Sequence, residues 1–223
     1  MTLAHESARQ TLERAAPSLG LALTAPQLDA LLAYLDLIAK WTRVYNLTAV
    51  RDPAEMLTHH LLDSLAAIAP LQRQLEQRGL GQGARLLDVG SGAGLPGVVM
   101  AICCPTLEVT CVDAVAKKAA FITQASLALQ LPNLTGMHAR VENITETFDV
   151  IGSRAFASLA DFTAWSQGAL APHGVWMAMK GKHPADELAA LPASVAVFHV
   201  EQLQVPGLDA ERCVVWMRPS AAE

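Results

Sequence analysis

The chain is poor in the residues from which many sites are built. It has four cysteines, Cys103, Cys104, Cys111 and Cys213, and no two are spaced C-x-x-C. All stand among apolar neighbours, so they read as reduced core residues of a cytoplasmic protein, and no metal site is expected. Tyrosine is scarce, with only Tyr34 and Tyr45. No apolar run is long enough to cross a bilayer, so no membrane partner is expected. The stretch Met1–Gln10 has no basic segment leading into an apolar one, which argues against a secretion signal. Internal repeats and low-complexity tracts are missing as well. The charge balance is −5. It excludes a general nucleic-acid coat but leaves room for a local basic patch, since screened contacts act over short range.

What is present fits one α/β domain with a helical extension. The chain has 223 residues, 52% of them apolar, enough for a sizeable core. Residues 6–19 suggest a helix ending near Gly20. Thr24 followed by Gln27 is a capping box, and Leu28, Leu31, Leu32, Leu35, Ile38 and Trp41 recur at helical spacing. Pro53 opens a third helix running to Ile68, which Pro70 ends or bends. Gly79–Gly83 form a joint. Strands are then expected at 85–89, 107–112, 134–138, 148–152, 175–179, 195–204 and 212–217, with helices at 95–104, 115–130, 159–170 and 184–191. Pro172–Gly174 reads as a turn. Strand and helix alternate, so the sheet is expected to be twisted and mainly parallel. The last two strands lack a helix between them and read as an antiparallel hairpin at one edge. Residues 1–80 form the N-terminal helical extension, and residues 81–223 the ligand-binding domain, as one integrated unit.

The organising stretch is Arg85-Leu-Leu-Asp-Val-Gly-Ser-Gly-Ala-Gly-Leu-Pro-Gly97. Leu86, Leu87 and Val89 form the apolar run of a strand covered on both faces. Gly90, Gly92 and Gly94 follow, and Pro96 stands where a first helical turn would begin. A strand, a glycine loop and a helix start open many nucleotide-binding domains. Gly92–Gly97 also satisfies the dinucleotide pattern G-x-G-x-x-G. Asp88 favours adenosylmethionine over NAD, because a carboxylate there suits a cationic amino-acid tail and repels phosphate. Asp113, at the end of the next strand, can accept from a ribose diol, which both cofactors have. The plain alternative is a tight turn with no ligand.

Ligands of open parallel sheets bind beyond the carboxyl ends of the strands. There the sequence offers Asp88, then Asp113 with Lys117 and Lys118, then Arg140, Val141 and Glu142, then Ser153 and Arg154, then Lys180 to His183. Acids cluster on early strands and cations on later ones, as expected for a cationic cofactor on one side and a polyanion on the other. Glu142 is placed for the adenine end of a cofactor. Lys118 can equally be a solvated helix residue. Arg154 and Lys180 read as functional. His60 and Asp63 share a helix face and read as a structural hydrogen-bonded pair, since no third metal ligand is evident. The tryptophans at 41, 165, 176 and 216 read as core.

Several blocks go further. They are Tyr45-Asn-Leu-Thr48, Arg51-Asp-Pro53, His60-Leu-Leu-Asp-Ser64, Leu87–Gly97, Ser153-Arg-Ala-Phe-Ala-Ser-Leu159 and Met179-Lys-Gly181. Through these blocks the chain closely resembles the bacterial small-subunit rRNA methyltransferase G family, formerly the glucose-inhibited division protein B family. The resemblance runs from about Trp41 to Gly181, and more weakly beyond. It implies a Rossmann-like class I methyltransferase fold and S-adenosyl-L-methionine as cofactor. It also implies methyl transfer to N7 of a guanine in the 530 loop of 16S rRNA, free or in the small ribosomal subunit. The family's cofactor contacts fall on Gly90, Leu95, Val141, Glu142 and Arg154. Arg154 and Lys180 are then the positioning residues, and no general base is expected. Competing readings are a methyltransferase acting on another RNA, a protein or a small molecule, an NAD-dependent oxidoreductase, and a non-catalytic RNA-binding module. Both tyrosines precede the sheet, which counts against the oxidoreductase.

Overall fold

A computed structural model describes residues 3–220. Met1 and Thr2, part of the stretch read above for a secretion signal, lie outside the described residues. The helical extension begins with α1 (Leu3–Ala15) and a 3-10 turn over Ala16–Leu19. Next is α2 (Ala25–Tyr45), the longest helix described. Its start is fixed as its sequence requires: Gln27 Oε1 accepts from the Thr24 N–H at 2.9 Å, and Thr24 Oγ1 accepts from the Gln27 N–H. Gln27 also donates to the carbonyl of Ile102 at 3.2 Å, so the cap docks α2 on a later helix.

The segment after Pro53 is not one helix. It runs as α3 (Pro53–Met56), a π-helical stretch over Leu57–Leu62, and α4 (Asp63–Leu65), then breaks before α5 (Ile68–Gln77). Pro70 sits in the first turn of α5, where its missing N–H has no helical partner to lose, so it neither ends nor bends the preceding helix. The wider π turn rotates the face that follows it, and His60 and Asp63 lie on either side of that change.

Seven strands form one sheet in the order β3-β2-β1-β4-β5-β7-β6. They are β1 (Arg85–Val89), β2 (Glu108–Asp113), β3 (Leu134–His138), β4 (Phe148–Arg154), β5 (Leu170–Lys180), β6 (Val195–Leu203) and β7 (Arg212–Pro219). The first five are parallel, and β7 pairs antiparallel with both β5 and β6. Helices α6 (Gly97–Cys103), α7 (Ala116–Ala128), α8 (Leu159–Ser166) and α9 (Ala185–Ala189) make the connections. The turn expected at Pro172–Gly174 is instead part of β5. The pairing passes from Phe148↔Leu170 to Val150↔Val175, so the extra residues bulge out and the proline is tolerated there.

Alternate residues of each central strand feed opposite cores. Leu86, Val109 and Val150 face a core shared with Leu31, Ile38 and Leu61 of the helical extension. Leu87, Val112 and Ile151 face the other layer with Leu159 and Phe162 of α8. Each fully buried aliphatic side chain contributes about 1.5–3 kcal/mol relative to exposure. The extension is therefore part of the packing that holds β1, and through β1 the glycine loop. Among the described residues no helix is long and apolar enough to cross a membrane.

Candidate active site

The strand ends converge on a cleft with two lobes. The larger, about 510 Å³, is bounded by the loop Gly90–Ala93 with Leu95, by Asp63 of α4, and by Arg154, Lys180 and Arg212. The smaller, about 280 Å³, has Asp113 and Glu142 at its edge and Val112, Val141, Phe156 and Trp165 in its walls. Gly90 borders both lobes. It has φ +68°, and a Cβ there would lie 2.3 Å from the Phe156 ring. Only glycine lets that ring lie flat on the backbone.

Asp88 is not where its sequence role placed it. It is fully buried behind the loop, and Oδ2 accepts from the Gly97 N–H at 3.0 Å. A Cβ on Gly97 would lie 2.8 Å from that oxygen and 2.3 Å from Cys111 Sγ, so this glycine is as necessary as those before it. Burial pushes the Asp88 carboxyl up to about 6, against hydrogen bonds from Gly97 and Ser91 that lower it. Direct contact between Asp88 and a cofactor tail is thereby corrected: the carboxylate anchors the start of α6. Gly94 is likewise turned inward, toward Val98 and the Tyr34 hydroxyl, and lines neither lobe. Pro96 precedes the first residue of α6 instead of forming its first turn.

Asp113 is buried at the end of β2. Its Oδ2 accepts from the Gly92 N–H at 3.0 Å and its Oδ1 from the Val115 N–H at 2.8 Å. Each oxygen keeps a lone pair for a diol. Lys118 stands 3.9 Å from Asp113, so it is more than a solvated helix residue. Val141 and Glu142 occupy a 3-10 turn after β3, Val141 buried and Glu142 exposed with Arg140 at 3.8 Å.

The two cations singled out by sequence are both held. Arg154 Nη1 donates to Asp63 Oδ2 at 2.6 Å and to the His59 carbonyl at 3.0 Å. Arg212 Nε donates to Asp63 Oδ1 at 2.7 Å. Two guanidiniums share one carboxylate, which leaves positive charge on the wall of the larger lobe. Lys180 Nζ donates to Glu187 Oε2 at 2.8 Å and to the Ala157 carbonyl at 2.9 Å. Between Arg154 and Phe156, Ala155 adopts φ +51°. That strained link sends Arg154 to one lobe and Phe156 to the other.

His60 and Asp63 do not bond to each other. His60 Nε2 meets Thr48 Oγ1 at 2.9 Å. Burial, reinforced by Arg154, lowers its pKa to about 4, so the ring is neutral at physiological pH. Among the described residues no group of three or more His, Cys, Asp or Glu could hold a metal ion. Trp176 and Trp216 are core, whereas Trp165 is 42% exposed. Sequence reasoning missed Arg212, Glu187 and Phe156. For Arg212, its place at the start of the last strand was the only signal, and for Phe156 its position two residues past Arg154.

The cleft fits adenosylmethionine. Its smaller lobe offers apolar walls to a base and two carboxylates to hydroxyl and amino donors, and the loop brings bare backbone up to the junction. Gly90, Gly92, Leu95, Asp113, Val141, Glu142 and Arg154 line this space.

Comparison with known proteins agrees. Residues 27–215 match a family model described as GidB, rRNA small subunit methyltransferase G. A protein of Polaromonas naphthalenivorans (strain CJ2) called ribosomal RNA small subunit methyltransferase G is 72% identical over 219 residues, covering 98% of this chain and 99% of that one. One of the same name from Acidovorax ebreus (strain TPSY) is 65% identical over 223 residues, covering 98% and 99%. Among solved structures, TrmN from Thermus thermophilus superposes with TM-score 0.54 at 20% identity, covering 74% of this chain and 53% of that one. A SAM-dependent methyltransferase from Aquifex aeolicus gives 0.53 at 18%, covering 74% and 93%. These two likenesses show the fold, a class I methyltransferase sheet with an antiparallel end.

Proposed function

Because the chain belongs to the rRNA small subunit methyltransferase G family, we propose that its cleft transfers a methyl group from S-adenosyl-L-methionine to N7 of guanine-527 in the 530 loop of 16S rRNA. The observation that carries this reading is the two-lobed cleft joined at Gly90, with nucleoside-binding groups in one lobe and fixed cations in the other. The helical extension (1–80) and the cofactor domain (81–223) act as one unit in it, and the enzyme works in the cytoplasm.

Bound adenosylmethionine supplies an electrophilic methyl on a sulfonium. Guanine N7 carries a lone pair and no proton. As the N–C bond forms the C–S bond breaks, its electron pair stays on sulfur, and no proton has to move. This chain therefore needs no base. Its residues bind, align and exclude water, which can supply several kcal/mol of the barrier reduction, on the order of 7–11 kcal/mol for ideal alignment. Gly90, Gly92 and Leu95 hold the cofactor's reactive end, and Asp113, Val141 and Glu142 hold its nucleoside. Arg154 and Lys180, each fixed by a carboxylate, position the guanine and its phosphate.

The test is mass mapping of modified guanines in rRNA from cells with and without the protein. One 7-methylguanine in the 530 loop is expected to disappear with the gene. An unchanged 530 loop, with a methyl lost from another RNA, a protein or a small molecule, overturns the reading.

A further inference from the structure

The cations inside the cleft are neutralised by Asp63 and Glu187, so a polyanion approaching the cleft has to be met elsewhere. The C-terminal end of α2 has the required chemistry. Tyr45 is 40% exposed and Val44 69%. One face of the Tyr45 ring packs on Trp41, with centroids 5.1 Å apart and planes 34° apart. Trp41 is in turn braced edge-on by Phe121 of α7 at 5.4 Å. An exposed aromatic held from behind by two others is a rigid platform, and little side-chain entropy is lost when something stacks on it.

The platform borders the cleft. Asn46 ends α2 with φ +51°, and its Oδ1 accepts from Arg51 Nη2 at 2.6 Å, closing the turn. The next residues, Leu47 and Thr48, line the larger lobe. Arg43 and Arg51 flank the platform, both exposed and neither paired with a carboxylate among the described residues. On an acidic protein, unpaired cations beside an exposed ring favour a nucleic-acid strand over an apolar protein patch.

Resting on the function proposed above, we propose that this lip docks the single-stranded RNA of the substrate loop: Tyr45 stacks a base flanking the target guanine, and Arg43 and Arg51 contact its phosphates. Base stacking on an aromatic ring and phosphate contact are sequence-tolerant, so the lip supplies affinity and register while the cleft supplies the choice of atom.

The experiment uses the full chain, tritiated adenosylmethionine, and small-subunit RNA lacking the methyl group, both as naked 530-loop RNA and as assembled subunits. Tyr45→Ala is expected to raise the KM for RNA by about 5- to 100-fold, with the Kd for adenosylmethionine and the Tm as in wild type. Tyr45→Phe is expected to restore the KM. Arg43→Gln with Arg51→Gln is expected to flatten the salt dependence of log KM by a slope of about two. A Tyr45→Ala KM within twofold of wild type overturns the proposal. So does a rise seen with assembled subunits but not with naked RNA, which would assign the ring to a ribosomal protein. Wild-type protein that methylates neither substrate overturns the functional reading itself, a separate outcome.

Discussion

The hydroxyl of Tyr34 donates to the carbonyl of Ala93 at 2.5 Å. Tyr34 lies on α2 and is fully buried; Ala93 is in the glycine loop. One hydrogen bond thus ties the helical extension to the cofactor cradle. Tyr34→Phe leaves the carbonyl without its donor, a loss of about 1–3 kcal/mol for a buried group and hence of a few degrees in Tm. Affinity for adenosylmethionine is expected to fall with it, because the loop loses its brace. Calorimetry of unfolding and of cofactor binding checks both; a variant with wild-type values would mean that the loop holds its shape without α2.

Arg154 and Arg212 share Asp63, and the arrangement separates catalysis from stability. Arg154→Ala still leaves Asp63 paired with Arg212, so the fold is expected to survive while methyl transfer drops by about 100-fold or more through lost alignment. Asp63→Ala strands two guanidiniums and is expected to cost on the order of 2–3 kcal/mol, less than a fully buried pair because both arginines keep partial access to water. Single-turnover methylation and urea unfolding of the two variants measure this. Unchanged turnover in Arg154→Ala would remove that residue from the site.

The legible parts were those written in local pattern. A strand buried on both faces leaves an apolar run, so β1 and the glycine turn could be read directly, and Thr24 with Gln27 marked the start of α2. The Asp63 cluster could not be read, because its partners lie 91 and 149 residues away and periodicity carries no such information. Asp88 was identified as important but given the wrong neighbour: a strand-end carboxylate can face the ligand or the loop's back, and only the Gly97 N–H decides. The π turn after Pro53 hid behind apolar spacing that also fits a regular helix.

Asp88 gives a pH signature. Its carboxyl is held at about 6 by burial, against an ordinary value of 3.8. Between those values the folded state binds more protons than the unfolded one, so this group's contribution to stability falls as pH rises through that window and is lost above about 6. The difference corresponds to roughly 3 kcal/mol. Asp88→Asn keeps an acceptor for Gly97 and removes the titration. Its stability relative to wild type is therefore expected to climb from pH 4 to 6.5 and then level off. Urea unfolding of both proteins across that range checks it. His60, lowered to about 4, has the opposite slope, and it cancels in the comparison because both proteins carry it. A flat difference would show that Asp88 is not the group responsible.

The last prediction concerns the Phe156 ring on Gly90. The two lobes meet at Gly90, so a ligand filling both has to displace that ring or slide beneath it. Trp165 stands edge-on to Phe156, centroids 5.9 Å apart, and it is the more exposed partner. Movement of Phe156 changes the surroundings of the indole. Adenosylmethionine binding is thus expected to shift Trp165 emission, identified by subtraction with Trp165→Phe. In Phe156→Ala the junction stands open, and the association rate measured by stopped flow through the remaining signal should rise several-fold. The Kd should change less than the rate, because the ring that slows entry also slows departure. If Phe156→Ala binds at the wild-type rate, the ring does not obstruct the junction and the cofactor enters by a path that leaves it in place.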